Sequence, residues 1–343
     1  MENAAGDPDT GQKAEIPDVI TVTEDGREYV VVWSHGMKGK DKLHDGQEVV
    51  QLSVFPATSS GNAATPERRI TVPVDVKLSE ELEVRDGGHG VLVTWGGQTA
   101  AANIRTGKVT PYEKADKLLE QCDDSACFDS KVRALTSAGP VVGTDGGKGF
   151  GVPDRWFSED HPPRGKTSGE LLAATDEHLI ASWTEDDSGF GGDGSDPVFA
   201  VHDPETGAIE ARTTCTDDGY SEGNIWDGGS EPPPSTSPNG RYLVAGSVAF
   251  DLKEKRGICL TGDSDTKKLV LLSVQDDGTA YGGTSAEDTD EEQSTAVAVP
   301  LTSGRPKALP EGTQVPLVVS RGTGGFLTSN KNDELSVAIV QKR

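Results

Sequence analysis

A polar turn followed by a short apolar strand recurs seven times along the chain, and this repeat constrains the fold more than any other feature. The copies are Thr23-Glu-Asp-Gly-Arg-Glu-Tyr-Val-Val-Val-Trp33, Arg85-Asp-Gly-Gly-His-Gly-Val-Leu-Val-Thr-Trp95, Thr144-Asp-Gly-Gly-Lys-Gly-Phe150, Thr175-Asp-Glu-His-Leu-Ile-Ala-Ser-Trp183, Ser237-Pro-Asn-Gly-Arg-Tyr-Leu-Val-Ala245, Asp276-Asp-Gly-Thr-Ala-Tyr281 and Arg321-Gly-Thr-Gly-Gly-Phe-Leu327. They lie about 50 residues apart on average, the size of a four-stranded sheet unit that needs neighbours to bury its apolar faces. Asp-Gly and Asn-Gly supply the positive φ of a tight hairpin, and the β-branched and aromatic residues beside them pack sheet on sheet. A second turn family follows downstream: Ser60-Gly61, Thr106-Gly107, a poor match near Gly165, Thr206-Gly207, Arg256-Gly257, Ser303-Gly304 and Lys331-Asn332-Asp333.

The predicted fold class is all-β, a β-propeller of seven four-stranded blades, with residues 1–16 a polar tether and 17–343 a single domain. Hydrophobic residues at 33%, with Gly 42 and Pro 20, favour short strands and many turns over long helices. Ser237-Pro-Asn-Gly-Arg-Tyr-Leu-Val resembles the S-P-D-G-x-x-hydrophobic signature of TolB-type and WD-repeat-like propellers. The resemblance implies a fold and no activity, because propellers host hydrolases, lyases, redox enzymes, lectins and docking scaffolds alike. Tyr112 to Gln121 is rich in helix formers and predicts one short helical insertion. The terminal segments Asp18–Val22 and Glu334–Gln341 both alternate as strands, and pairing them in one blade would close the ring.

Lys+Arg 32 against Asp+Glu 57 gives a net charge of −25, a field that repels phosphate backbones, so nucleic acid is not an expected partner. No apolar run reaches the roughly 18 residues of a membrane span, and residues 1–16 lack the apolar middle of a signal peptide. A lipid or membrane anchor upstream of the tether is the expected attachment. The four cysteines, Cys122, Cys127, Cys215 and Cys259, suggest two disulfides and an extracytoplasmic compartment. Cys122 and Cys127 would pin the helix. Cys215 and Cys259 fall after the second turn in successive repeats, which predicts a staple between neighbouring outer strands, although spacing alone does not fix the connectivity.

If the two turn families share one face, the long irregular segments at 34–47, 184–196, 216–236 and 283–294 share the other, where binding concentrates on a rigid scaffold. Asp186, Asp187, Asp193 and Asp196 form the best carboxylate set for calcium, the one cofactor the composition suggests, although the spacing matches no EF-hand. Trp156, Tyr220 and Trp226 are candidates for stacking on a sugar or anchoring a protein, against the alternative that they plug the disc. His35 and His44 lie in a basic segment of the same set of loops. The histidines are scattered, and no nucleophile elbow, HExxH, P-loop or dinucleotide fingerprint is present. The sequence therefore points to a monomeric binding or scaffold propeller docking a protein or glycan, without catalysis. A carboxylate-dependent, carbohydrate-active hydrolase and a structural component of a cell-envelope assembly are the alternatives.

Overall fold

The computed structural model describes residues 18–24, 27–39, 46–57, 65–75, 82–112, 130–144, 149–185, 196–215, 233–262, 266–284, 295–316, 318–320, 324–331 and 334–340. Their strands follow one another as antiparallel meanders, each sheet running in chain order. The first unit is β1 (Asp18–Glu24), β2 (Arg27–Lys38), β3 (Gln47–Pro56) and β4 (Arg68–Pro73); the second is β5 (Leu82–Asp86), β6 (Val91–Trp95), β7 (Gln98–Ala102) and β8 (Val109–Tyr112). The third comprises β9 (Lys131–Thr136), β10 (Gly139–Gly143), β11 (Phe150–Val152) and β12 (Trp156–Phe157). The fourth comprises β13 (Ser168–Ala174), β14 (Leu179–Thr184), β15 (Val198–His202) and β16 (Ile209–Thr214). The fifth is β17 (Ser235–Thr236), β18 (Tyr242–Ala245), β19 (Val248–Asp251) and β20 (Arg256–Cys259), and the sixth is β21 (Leu269–Val274), β22 (Thr279–Thr284), β23 (Ala296–Pro300) and β24 (Lys307–Ala308). The last unit has three described strands, β25 (Val318–Ser320), β26 (Gly324–Lys331) and β27 (Glu334–Val340). A single parallel bridge, Arg212 to Arg256, merges the fourth and fifth units into one eight-stranded sheet.

The apolar cores lie between sheets. Because side chains alternate across a strand, each middle strand feeds two cores. On β6, Val91, Val93 and Trp95 pack toward the first unit while Leu92 packs toward the third. On β14, Leu179, Ala181 and Trp183 face the third unit and Ile180 the fifth. On β18, Leu243 and Ala245 face the fourth unit, and Tyr242 and Val244 the sixth. In the second, fourth and fifth units the second and third strands are therefore buried on both faces, whereas β22 and β23 of the sixth alternate buried with half-buried residues and the outer strands β8 and β20 are mostly half-exposed. Each such side chain contributes about 1.5–3 kcal/mol by leaving water. Consecutive sheets stacked face to face in this way make an all-β propeller.

Several expectations need correction. In the third unit the first hairpin turns at Ser137-Ala138; the repeat copy Thr144 to Gly149 instead joins the second and third strands, and the outer turn is at Asp154, not Gly165. In the fifth unit the outer turn takes its positive φ at Lys255 (φ 54), so Arg256-Gly257 lies inside β20. The Lys331 to Asp333 turn joins β26 and β27, which are the second and third strands of their unit. β1 pairs with β2 and β27 with β26, and among the described residues no ladder joins β1 to β27, so the expected ring-closing pair is not formed there. Of the expected helix, Tyr112 ends β8 and 113–121 lie outside the described residues.

Candidate functional site

In an antiparallel meander the first-to-second and third-to-fourth connections leave from one end, and the second-to-third and unit-to-unit connections from the other. The end with the first-to-second and third-to-fourth turns, the turn side, is stitched across units. Glu24 of the first unit is wholly buried; its carboxylate accepts from the Asn103 side-chain amide and from the Ile104 N–H at 3.0 Å. The Leu135 N–H donates to Gly87 O at 2.6 Å, the Ser137 N–H to Asp176 O at 2.9 Å, and the Asn239 N–H to the Asp276 carboxylate at 2.8 Å. Arg155 pairs with Glu205, and the Trp156 indole N–H donates to Pro204 O at 2.9 Å. Asn103 and Asp203 close equivalent turns by accepting from the N–H and hydroxyl of Thr106 and Thr206. The junction of the fourth and fifth units is closed from the opposite end, by the disulfide between Cys215, just after β16, and Cys259, the last residue of β20.

The opposite, loop side carries the three longest connections, 113–130, 185–197 and 215–234, together with 285–295 and two-residue hairpins at 96–97 and 246–247. Asp186, Asp187, Asp193, Tyr220, Trp226, His44, Cys122 and Cys127 lie outside the described residues. His35 stands on β2, which runs on to Lys38 instead of ending in a loop at Ser34; it is half-buried, with Nε2 2.8 Å from Glu48 Oε1 across the hairpin. Trp156 is 4% exposed and packs against Phe150, His161 and His202, so its ring is a packing element here and not a stacking platform. Asp196 is half-buried, and its carbonyl accepts from Lys166 Nζ at 2.9 Å; the same ammonium lies 3.3 Å from Glu185 Oε1. Lys166 thus supplies an internal cation at the neck of the acidic loop. Among the described residues no group of three or more His, Cys, Asp or Glu side chains could hold a metal ion.

Sequence reasoning missed a titratable cluster on the turn side. His89 Nδ1 meets Asp176 Oδ1 at 2.7 Å, joining the second unit to the fourth across the first hairpin of the third. Gly88 fits there because it has no Cβ: at φ +95 a methyl group would stand 2.7 Å from Leu135 O and 3.0 Å from Ala174 O. Burial pushes the neighbouring Asp86 carboxyl up to about 7, although the Gly88 N–H at 2.9 Å and the Arg85 guanidinium favour its charged form. Burial also lowers the Arg85 guanidinium, which donates to Arg133 O at 2.6 Å. A half-buried imidazole oriented by a carboxylate is the geometry of a proton-transfer pair, and equally of a structural clamp. The signal in the sequence was only His89 and Asp176 at equivalent turns of two repeats; their contact spans 87 residues.

No protein-family model matches the chain, and no curated protein matches it. Among solved structures it is similar to the tricorn protease at 12% identity and TM-score 0.28, covering 88% of this chain and 26% of that one. It is similar to the Pyrococcus horikoshii acylaminoacyl peptidase at 9% and 0.35, covering 94% and 44%, and to the Dos1 propeller at 8% and 0.36, covering 94% and 89%. The chain thus spans about a quarter of the first and less than half of the second. Its architecture rests on its own strand order and the cores between its sheets.

Proposed function

We propose that this chain is an extracytoplasmic binding propeller of seven blades, formed by residues 17–343, that docks a protein or glycan on its loop side. One observation carries the reading: the turn side spends its polar groups on holding units together, while the longest connections leave from the other end. Rigid scaffolds place recognition on such connections. The disulfide supports an oxidising compartment. Calcium, if used, belongs to loop residues Asp186, Asp187 and Asp193, because Lys166 already occupies the neck beside Asp196.

The test is a glycan array, and pull-downs from an extracellular fraction, probed with wild type, a Tyr220→Ala/Trp226→Ala variant and a His89→Ala variant. Binding lost only in the loop-side variant, with an unchanged melting curve, is the expected result. Binding lost only in the His89 variant moves the site to the turn side. Release of reducing sugar from array glycans replaces docking with carboxylate-dependent hydrolysis.

A further inference from the structure

His202 is fully buried at the junction of the third and fourth units. Its ring stacks on Trp156 at 5.9 Å, tilts against Trp183 at 5.6 Å and meets the edge of Phe150 at 5.8 Å. Both nitrogens have fixed roles. Nδ1 lies 2.9 Å from Gly207 O, which can only accept, so Nδ1 carries the proton. Nε2 lies 3.2 Å from Trp183 Nε1, which can only donate, so Nε2 must present its lone pair. The partners thus dictate a neutral imidazole in one tautomer. Gly207 is held close against the rings: a Cβ there would stand 2.7 Å from both Trp156 and His161, so the approach of its carbonyl depends on its being glycine.

Among the described residues, the acids nearest the ring are already engaged by other partners. β11 and β14 present Phe150 and Trp183. The turn before β12 presents Arg155, already paired with Glu205, and the connection after β12 presents His161, which disfavours a second positive charge. The 203–208 turn presents Asp203, whose carboxylate is engaged by Thr206, and β16 presents Glu210, held 2.8 Å from His178. Burial, the largest influence, pushes the imidazolium form down to about pH 4; the Gly207 carbonyl and Glu210 oppose this and His161 adds to it.

We propose that this junction is an acid-sensitive seam: a second proton on His202 sets N–H against N–H at Trp183, breaks that hydrogen bond within the fourth unit and displaces the two rings from Phe150 and Trp156 of the third, loosening the junction. Attraction between an imidazolium and the surrounding ring faces offsets part of the effect but leaves the Trp183 N–H without its acceptor. The open state takes up the proton at about pH 6.5 and the closed seam only near pH 4, so between them each pH unit of acid raises the ratio of open to closed by up to about tenfold.

The experiment is a pH series from 7.5 to 4 on wild type, His202→Gln and His161→Asn, reading melting temperature and tryptophan emission. Subtracting His202→Gln removes the background of titrating carboxylates. Wild type and His161→Asn are expected to lose melting temperature more steeply below pH 6.5 than His202→Gln, with emission shifting to the red. Equal slopes in wild type and His202→Gln overturn the seam. Should His202→Gln fail to fold, proton NMR of wild type decides: a His202 ring that titrates near 6.5, with exchange of the Trp183 indole proton unchanged by acid, also overturns it.

Discussion

Asp86 is held in a turn by the Gly88 N–H, beside a carbonyl-bound Arg85, and stays protonated to about pH 7 where an unperturbed carboxyl ionises near 3.8. Between those values the folded chain binds more protons than the unfolded one. The group therefore favours folding fully below about pH 3.8, and that contribution is lost as pH rises through 7. Asp86→Asn keeps an acceptor for Gly88 and removes the ionisation. In urea denaturation it is expected to match wild type near pH 4.5 and to exceed it by about 1 kcal/mol at pH 8, a figure kept small because the residue is partly exposed. A wild-type advantage that grows with pH would contradict this. Nothing local in Arg85-Asp-Gly-Gly-His announces such a carboxyl, because the turn is met by the first hairpin of the next unit, whose Leu135 lies against Gly87 and Gly88. Trp156 teaches the same lesson in reverse: beside a His-Pro-Pro segment it reads either as a stacking platform or as a plug, and only the docking of the 203–208 turn shows it to be enclosed.

Hairpins were the most legible elements, since Asp-Gly and Asn-Gly mark them through local conformational preference alone. The phase slipped where that chemistry was absent: Ser137-Ala138 turns without an Asp-Gly pair, and Lys255 occupies a left-handed position usually given to glycine. Also invisible were the bulges that add Arg133 to β9, Leu172 to β13 and Leu272 to β21, at matching places in three first strands. The staple between outer strands was legible, because two cysteines at equivalent repeat positions come together whenever the repeats stack. Cys215 and Cys259 close a loop with a sequence separation of 44, for which the chain-entropy relation gives about 4 kcal/mol. Cys215→Ser/Cys259→Ser is expected to lose stability of that order in equilibrium unfolding, and hydrogen exchange should rise first in β16 and β20. Uniform exchange across all sheets would show that this pair does not govern the junction locally.

At the scale of the whole molecule, a net charge of −25 makes the surface repel itself. Screening shortens that repulsion to about 8 Å at 0.15 M salt, so raising sodium chloride from about 0.01 to 0.15 M is expected to lift the melting temperature by a few degrees. A fall would mean that attractive pairs such as Arg241 with Asp251, whose fork closes at 2.8 and 3.0 Å, outweigh the repulsion. The two-residue hairpins at 96–97 and 246–247 stand between long connections on the same side, away from the stitched turns. A chain arranged in this way can lengthen, shorten or rewrite one long connection at a time without disturbing its frame. The same positions are where a label or a foreign recognition peptide can be grafted, one loop per experiment, with the buried sheets as an unchanged reference.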